Sequence, residues 1–117
     1  TSINMSDDIF LTTINKNNQI GAVFEEEEDI GYFYLMDMRK TEGDQIISSI
    51  RLYSSNPGLT TSDFKLIWNA SKSMVAVVIK AQIWAVFDIE RNKKYGGDFR
   101  NGYEPIIPDS IINSFSI

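Results

Sequence analysis
Glu25-Glu26-Glu27-Glu28-Asp29 is the densest patch of chemistry in this chain. Adjacent carboxylates repel, each close pair by roughly 1 kcal/mol in water. Three roles suit such a run. It can form a solvated hairpin tip, which also discourages edge-to-edge aggregation of the flanking strands. It can present a focused negative field to a basic partner. It can hold a cation, but the alternating oxygen ligands and central glycine of a calcium loop are missing. No cofactor and no metal is expected.

The other carboxylates, Asp37, Glu42, Asp44, Asp88 and Glu90, could pair as acid and base for glycoside chemistry, although their spacing does not require it. Asp37 lies inside an apolar segment, so burial would oblige it to find a partner such as Arg39, Arg51 or Arg100. Ser62-Asp63-Phe64-Lys65 has the Ser-x-x-Lys spacing of an activated serine, but it opens a strand and its companion motifs are missing. Arg91, Lys93, Lys94 and Arg100 alternate with Tyr95, Phe99 and Tyr103, the mixture a single-strand nucleic-acid site uses. Glu90, Asp98 and Glu104 dilute it, and a loop laced with ordinary charge pairs is the plainer reading. Gly96-Gly97 falls short of any phosphate-binding fingerprint. The chain contains no histidine and no cysteine. That removes the commonest general base, thiolate ligands and every Ser-His or Cys-His pair. No catalytic residue is assigned, and the expectation is a protein that is not an enzyme. Tyr32 and Tyr34, next to the acids, are the natural interface anchors.

The elements that must carry these residues read mostly as strands. Ile9 to Ile14 and Gln19 to Glu25 are short and apolar, separated by the turn cluster Asn15 to Asn18. Ile30 to Met38 alternates, with Tyr32, Tyr34, Met36 and Met38 on one face. Both faces are mostly apolar, so this strand is expected to be central and covered on both sides. Asp44 precedes Ile46, Ile47 and Ile50 at helical spacing, which predicts a short helix over 45–51; a strand competes because isoleucine is β-branched. Asn56-Pro57-Gly58 is a turn. Phe64–Trp68, Met74–Lys80 and Ile83–Ile89 are strands whose short connections force antiparallel neighbours. Residues 90–104 are polar and turn-rich. Asp109 opens a final helical turn carrying Ile111, Ile112 and Phe115.

The 117 residues suit one domain over 1–117. The expected fold class is α+β, mostly an antiparallel β-sheet of about six or seven strands with one or two short helices. Net charge is −5, and it is unevenly spread: residues 1–63 carry −7 and residues 64–117 carry +2. An acidic surface repels nucleic acid and anionic lipid and attracts basic proteins. Thr1 to Asp8 is polar, without the positive start and apolar stretch of a secretory signal. No apolar run approaches a membrane span. Together with the absent cysteines, this gives a cytoplasmic expectation.

Val23-Phe24-Glu25 with its further acids, Gly31-Tyr32-Phe33-Tyr34 and Ile46 to Tyr53 resemble the first half of a small bacterial family of unknown function. Trp68-Asn69, the Val75 to Ile79 strand and Ala85-Val86-Phe87-Asp88 resemble its second half, the pattern covering about residues 22–95. In general character the chain is also similar to immunity proteins of bacterial toxin systems, including contact-dependent growth inhibition. That likeness implies a cognate toxin domain as partner, a basic protein such as a nuclease, blocked by occlusion of its active site. No residue is carried over from that likeness; the acidic run and the aromatics beside it give the expected partner-binding residues, Glu25, Glu26, Glu27, Glu28, Asp29, Tyr32 and Tyr34. The competing expectations are a non-catalytic adaptor or oligomerising module and a small carboxylate-based hydrolase.

Overall fold
Period-two apolar alternation interrupted by two-residue turns favours antiparallel hairpins. The computed structural model describes residues 9–116 and contains two such sets. The polar start at residues 1–8 lies outside the described residues. The first sheet has the order β1-β2-β3-β4, made of β1 (Phe10–Asn15), β2 (Ile20–Glu27), β3 (Ile30–Asp37) and β4 (Ile46–Tyr53). The second has the order β5-β6-β7-β8, made of β5 (Phe64–Trp68), β6 (Met74–Ile79), β7 (Gln82–Asp88) and β8 (Lys93–Gly96). All pairings within the sheets are antiparallel. A single 3-10 turn, Thr61–Asp63, and one short helix, α1 (Asp109–Ile112), complete the described elements.

The fold is therefore mostly antiparallel β, with eight strands in two sheets rather than six or seven in one. Two strands account for the difference. Ile46 to Tyr53 is a strand, not the helix its isoleucine spacing suggested. A helix that short is marginal in water, while β-branched side chains suit a pleated surface. As a strand it pairs with β3 and buries Ile50, Leu52 and Tyr53. The second is β8, a polar edge strand that pairs Lys93 with Asp88 and Tyr95 with Val86. Its sequence lacks apolar alternation, so its partner strand defines it.

The sheets pack face to face. Phe24 stacks on Phe64 at 4.4 Å between ring centroids, and Phe33 meets Phe87 at 4.8 Å. Trp68 Nε1 donates to Thr13 Oγ1 across the layers (2.9 Å). After β8 the chain crosses from the second sheet to the first. Gly97 N donates to Trp84 O (2.8 Å), and Phe99 N donates to Leu52 O (2.6 Å). Gly96 makes that crossing possible: its φ is +86°, and a Cβ there would lie 2.1 Å from Trp84 O. This, rather than phosphate binding, is the local use of the glycine pair.

The outer faces of the two sheets differ. That of the second sheet, with Met74, Ala76, Val78, Ile83 and Val86, is buried under the C-terminal segment through Ile107, Ile111, Ile112 and Phe115. That of the first sheet is covered by no segment among the described residues. So β3 is central within its sheet, but its Tyr32–Tyr34–Met36 face is only half-buried while the Phe33–Leu35–Asp37 face is buried. Among the described residues the expected cover on both sides is not found, because the apolar segment that follows β8 lies on the other sheet.

Candidate functional site
The acidic run does not form one solvated tip. Strand β2 continues three residues into it, so the pleat alternates its carboxylates between faces. Glu25 and Glu27 point outward and Glu26 points into the core. Glu28 and Asp29 form the two-residue turn, both with positive φ (52° and 74°), the signature of a tight hairpin turn of type I′.

Glu26 is buried, with Tyr53 OH and Asn56 Nδ2 each donating to its Oε1 at 2.6 Å. Burial and the neighbouring Glu26 carboxylate push the Tyr53 hydroxyl far above its ordinary value, so it stays a donor. Asp29 Oδ2 accepts from Ser55 Oγ (2.9 Å). Asn56 in turn accepts from Gly58 N and Leu59 N, closing the turn that follows β4. Glu26 and Asp29 thus fasten the hairpin to the 53–59 segment. Glu26 is corrected from a partner-binding residue to a structural one: the pleat that faces Glu25 and Glu27 outward must face it inward.

The outward residues form a connected surface. Glu25 pairs with Tyr32 and Val23 with Tyr34 across β2 and β3. The rings of Tyr32 and Tyr34 stack at 5.7 Å. Burial, then Glu25, Tyr32 and Glu27, raises the Tyr34 pKa, placing both carboxylates electrically beside that ring. Of the seven expected partner-binding residues, Glu25, Glu27, Tyr32 and Tyr34 share this face. Glu28 and Asp29 cap its end.

Beyond the tyrosines the face becomes apolar. Phe10, Ile14, Val23, Met36, Met38 and Ile46 line an open groove of about 480 Å³, with Glu25 and Tyr34 at its polar end. Phe10 is 59% exposed and Ile46 55%. Reading the isoleucines as helical hid this groove. The signal available in sequence was the alternation of Tyr32, Tyr34, Met36 and Met38, which do fall on one face.

The remaining candidates are dispersed. Asp37 is buried and takes Arg39 as its partner, which donates through Nε and Nη2 (both 2.9 Å) and its backbone N (3.0 Å). The Arg39 hydrogen bonds hold the Asp37 carboxyl at about 2. A depressed carboxyl stabilises the fold above its unfolded value near 3.8, and the effect is lost as pH falls through about 2. We therefore expect Arg39→Ala to lower the melting temperature at neutral pH, with the gap to wild type closing between pH 4 and pH 2. A gap independent of pH would show that the pair is not responsible. Asp88 is buried against Arg91, which donates through Nη1 and its backbone N (both 3.1 Å). Lys94 Nζ donates to Ser49 O (3.0 Å), Phe99 packs edge-on against Trp84, and Arg100 lies over Tyr103. The basic and aromatic residues of 91–103 therefore do not assemble a stacking platform. Among the described residues no three acids gather as a metal cage, and no helix is long and apolar enough to cross a membrane.

No curated protein and no solved structure matches the chain. A family model does, described as an uncharacterized protein conserved in bacteria (DUF2251), over residues 3–107. That span includes all eight strands and the whole outer face of the first sheet, so this chain belongs to the DUF2251 family of bacterial proteins.

Proposed function
We propose that this protein is a non-catalytic inhibitor: an immunity protein that binds a cognate bacterial toxin domain in the cytoplasm and occludes its basic active site, a nuclease being the class whose cationic cleft it would suit. One observation carries the reading. Two carboxylates and two stacked tyrosines share the half-buried, uncovered face of the first sheet, which ends in two further acids. Glu25, Glu27, Glu28 and Asp29 steer the encounter with a positive cleft. Tyr32 and Tyr34 are the rigid amphipathic anchors that slow dissociation. Glu26 holds the hairpin that presents them. Of the candidate acid–base residues, Asp37 and Asp88 are each held by a neighbouring arginine, which supports a non-catalytic role for those two. A carboxyl at about 2 is a poor general base near neutrality.

The deciding experiment is co-expression with the C-terminal domain encoded by the adjacent upstream gene. Growth arrest by that domain, relieved by this protein, is expected; a harmless neighbour overturns the reading. The tip can be neutralised without breaking the turn by Glu28→Asn with Asp29→Asn, since asparagine tolerates positive φ and its amide oxygen can still accept from Ser55. Combined with Glu25→Gln and Glu27→Gln, it is expected to slow association with the toxin about tenfold or more at low salt. The difference should vanish at high salt, with dissociation little changed. Tyr32→Ala should instead speed dissociation. Stopped-flow association across a salt series separates the two, and a salt-independent rate would remove the acids from the encounter.

A further inference from the structure
The apolar groove on the first sheet starts at Glu25 and Tyr34 and extends over residues not used in that reading. We infer that it docks a basic amphipathic segment of the partner, one that lays apolar side chains along Ile14, Met36 and Ile46 and directs lysine or arginine toward Glu25 and the Glu28–Asp29 turn. This deepens the inhibitor reading and rests on it for the identity of the partner.

Two observations select that occupant. The first is a precedent within the molecule. Both sheets have apolar outer faces, and the second is closed by a short segment carrying Ile107, Ile111, Ile112 and Phe115. An apolar segment of that kind is thus the sort of cover such a face accepts. The second is charge. Among the described residues lining the groove the one acidic side chain is Glu25, and the face runs from there into Glu27, Glu28 and Asp29. A second copy of a chain with net charge −5 would bring another acidic surface toward this one, which repulsion opposes. A cationic segment satisfies the apolar and acidic ends together. Met36 and Met38 add adaptable contact, because methionine repacks easily around different shapes.

The test uses the full chain and a labelled synthetic peptide with leucines along one helical face and lysines at one end, followed by fluorescence anisotropy. Saturable binding is expected, weakened about tenfold or more by Ile46→Glu or Phe10→Glu, because each sets a charge against apolar contacts. Ile106→Glu, at a 92% exposed position away from the groove, should leave affinity unchanged. Replacing the peptide's lysines by glutamates should weaken binding at low salt. Unchanged melting curves for Ile46→Glu and Phe10→Glu show that the fold survives. Absence of saturable binding, or binding indifferent to both groove variants, overturns the inference. So does a dimer in sedimentation that Ile46→Glu disperses, which would assign the face to a second copy. Peptide binding judges the groove and co-expression judges the toxin, so each can fail while the other stands.

Discussion
Gly31→Val is expected to destabilise the protein by about 3–5 kcal/mol, the sum of overpacking and a broken hydrogen bond to a charged group. Gly31 sits at the base of the acidic hairpin, opposite Tyr53 on β4. A Cβ at this position would lie 2.6 Å from the Tyr53 ring, with two further ring carbons inside 3.0 Å. The ring has little room to retreat, because it also packs on Phe24 (6.1 Å between centroids) and its hydroxyl is bound to Glu26. Moving it leaves a buried carboxylate with Asn56 as its remaining donor among the bonds that secure it. For a domain whose whole stability is about 5–15 kcal/mol, that loss is severe. Tyr53→Phe removes the hydroxyl alone and should cost about 1.5–3 kcal/mol. Gly31→Val combined with Tyr53→Ala should cost less than the sum of the two single changes, since the second removes the ring the first collides with. Urea denaturation of the four proteins is the measurement. Full additivity would show that the glycine is not there to admit the ring.

Phe33→Ala is expected to cost about 3–5 kcal/mol, the usual range for emptying a large buried aromatic site. Phe33 is fully buried and meets Phe87 of the other sheet, so its loss opens a void between the layers. Phe87→Ala should cost a similar amount. The double variant should fall short of the sum by about 0.5–1.5 kcal/mol, the interaction of the ring pair itself. The midpoint of chemical denaturation reports both quantities. A loss below about 1 kcal/mol for Phe33→Ala would be incompatible with a ring closed between two sheets. Phe33 joins the sheets, and Gly31 sets the hairpin that presents the candidate surface.

Much of this was legible locally. Turns and strand positions follow from short-range chemistry: the asparagines after β1, Asn56-Pro57-Gly58, and the apolar runs of β5, β6 and β7. The face shared by Tyr32, Tyr34, Met36 and Met38 follows from the pleat alone. The Asp37–Arg39 pair was also within reach, because a buried carboxylate needs a cation and one lies two residues away. Ile46, Ile47 and Ile50 were not legible, since their spacing serves a helix and a strand equally until a neighbouring strand offers hydrogen bonds. β8 was hidden for the same reason.

The amino-acid sequence by itself determined the antiparallel character, the excess of negative charge and the absence of histidine and thiol chemistry, because those depend on residue type and near neighbours. Only the tertiary structure decided where each carboxylate went. The extension of β2 through Glu27 and the distant Tyr53 turned Glu26 inward and left Glu25 and Glu27 outside beside the tyrosines. It was also the tertiary structure that decided which sheet face was covered, because the C-terminal segment can lie on only one of them. Both outcomes come from pairings between residues far apart in the chain, and no local pattern encodes them.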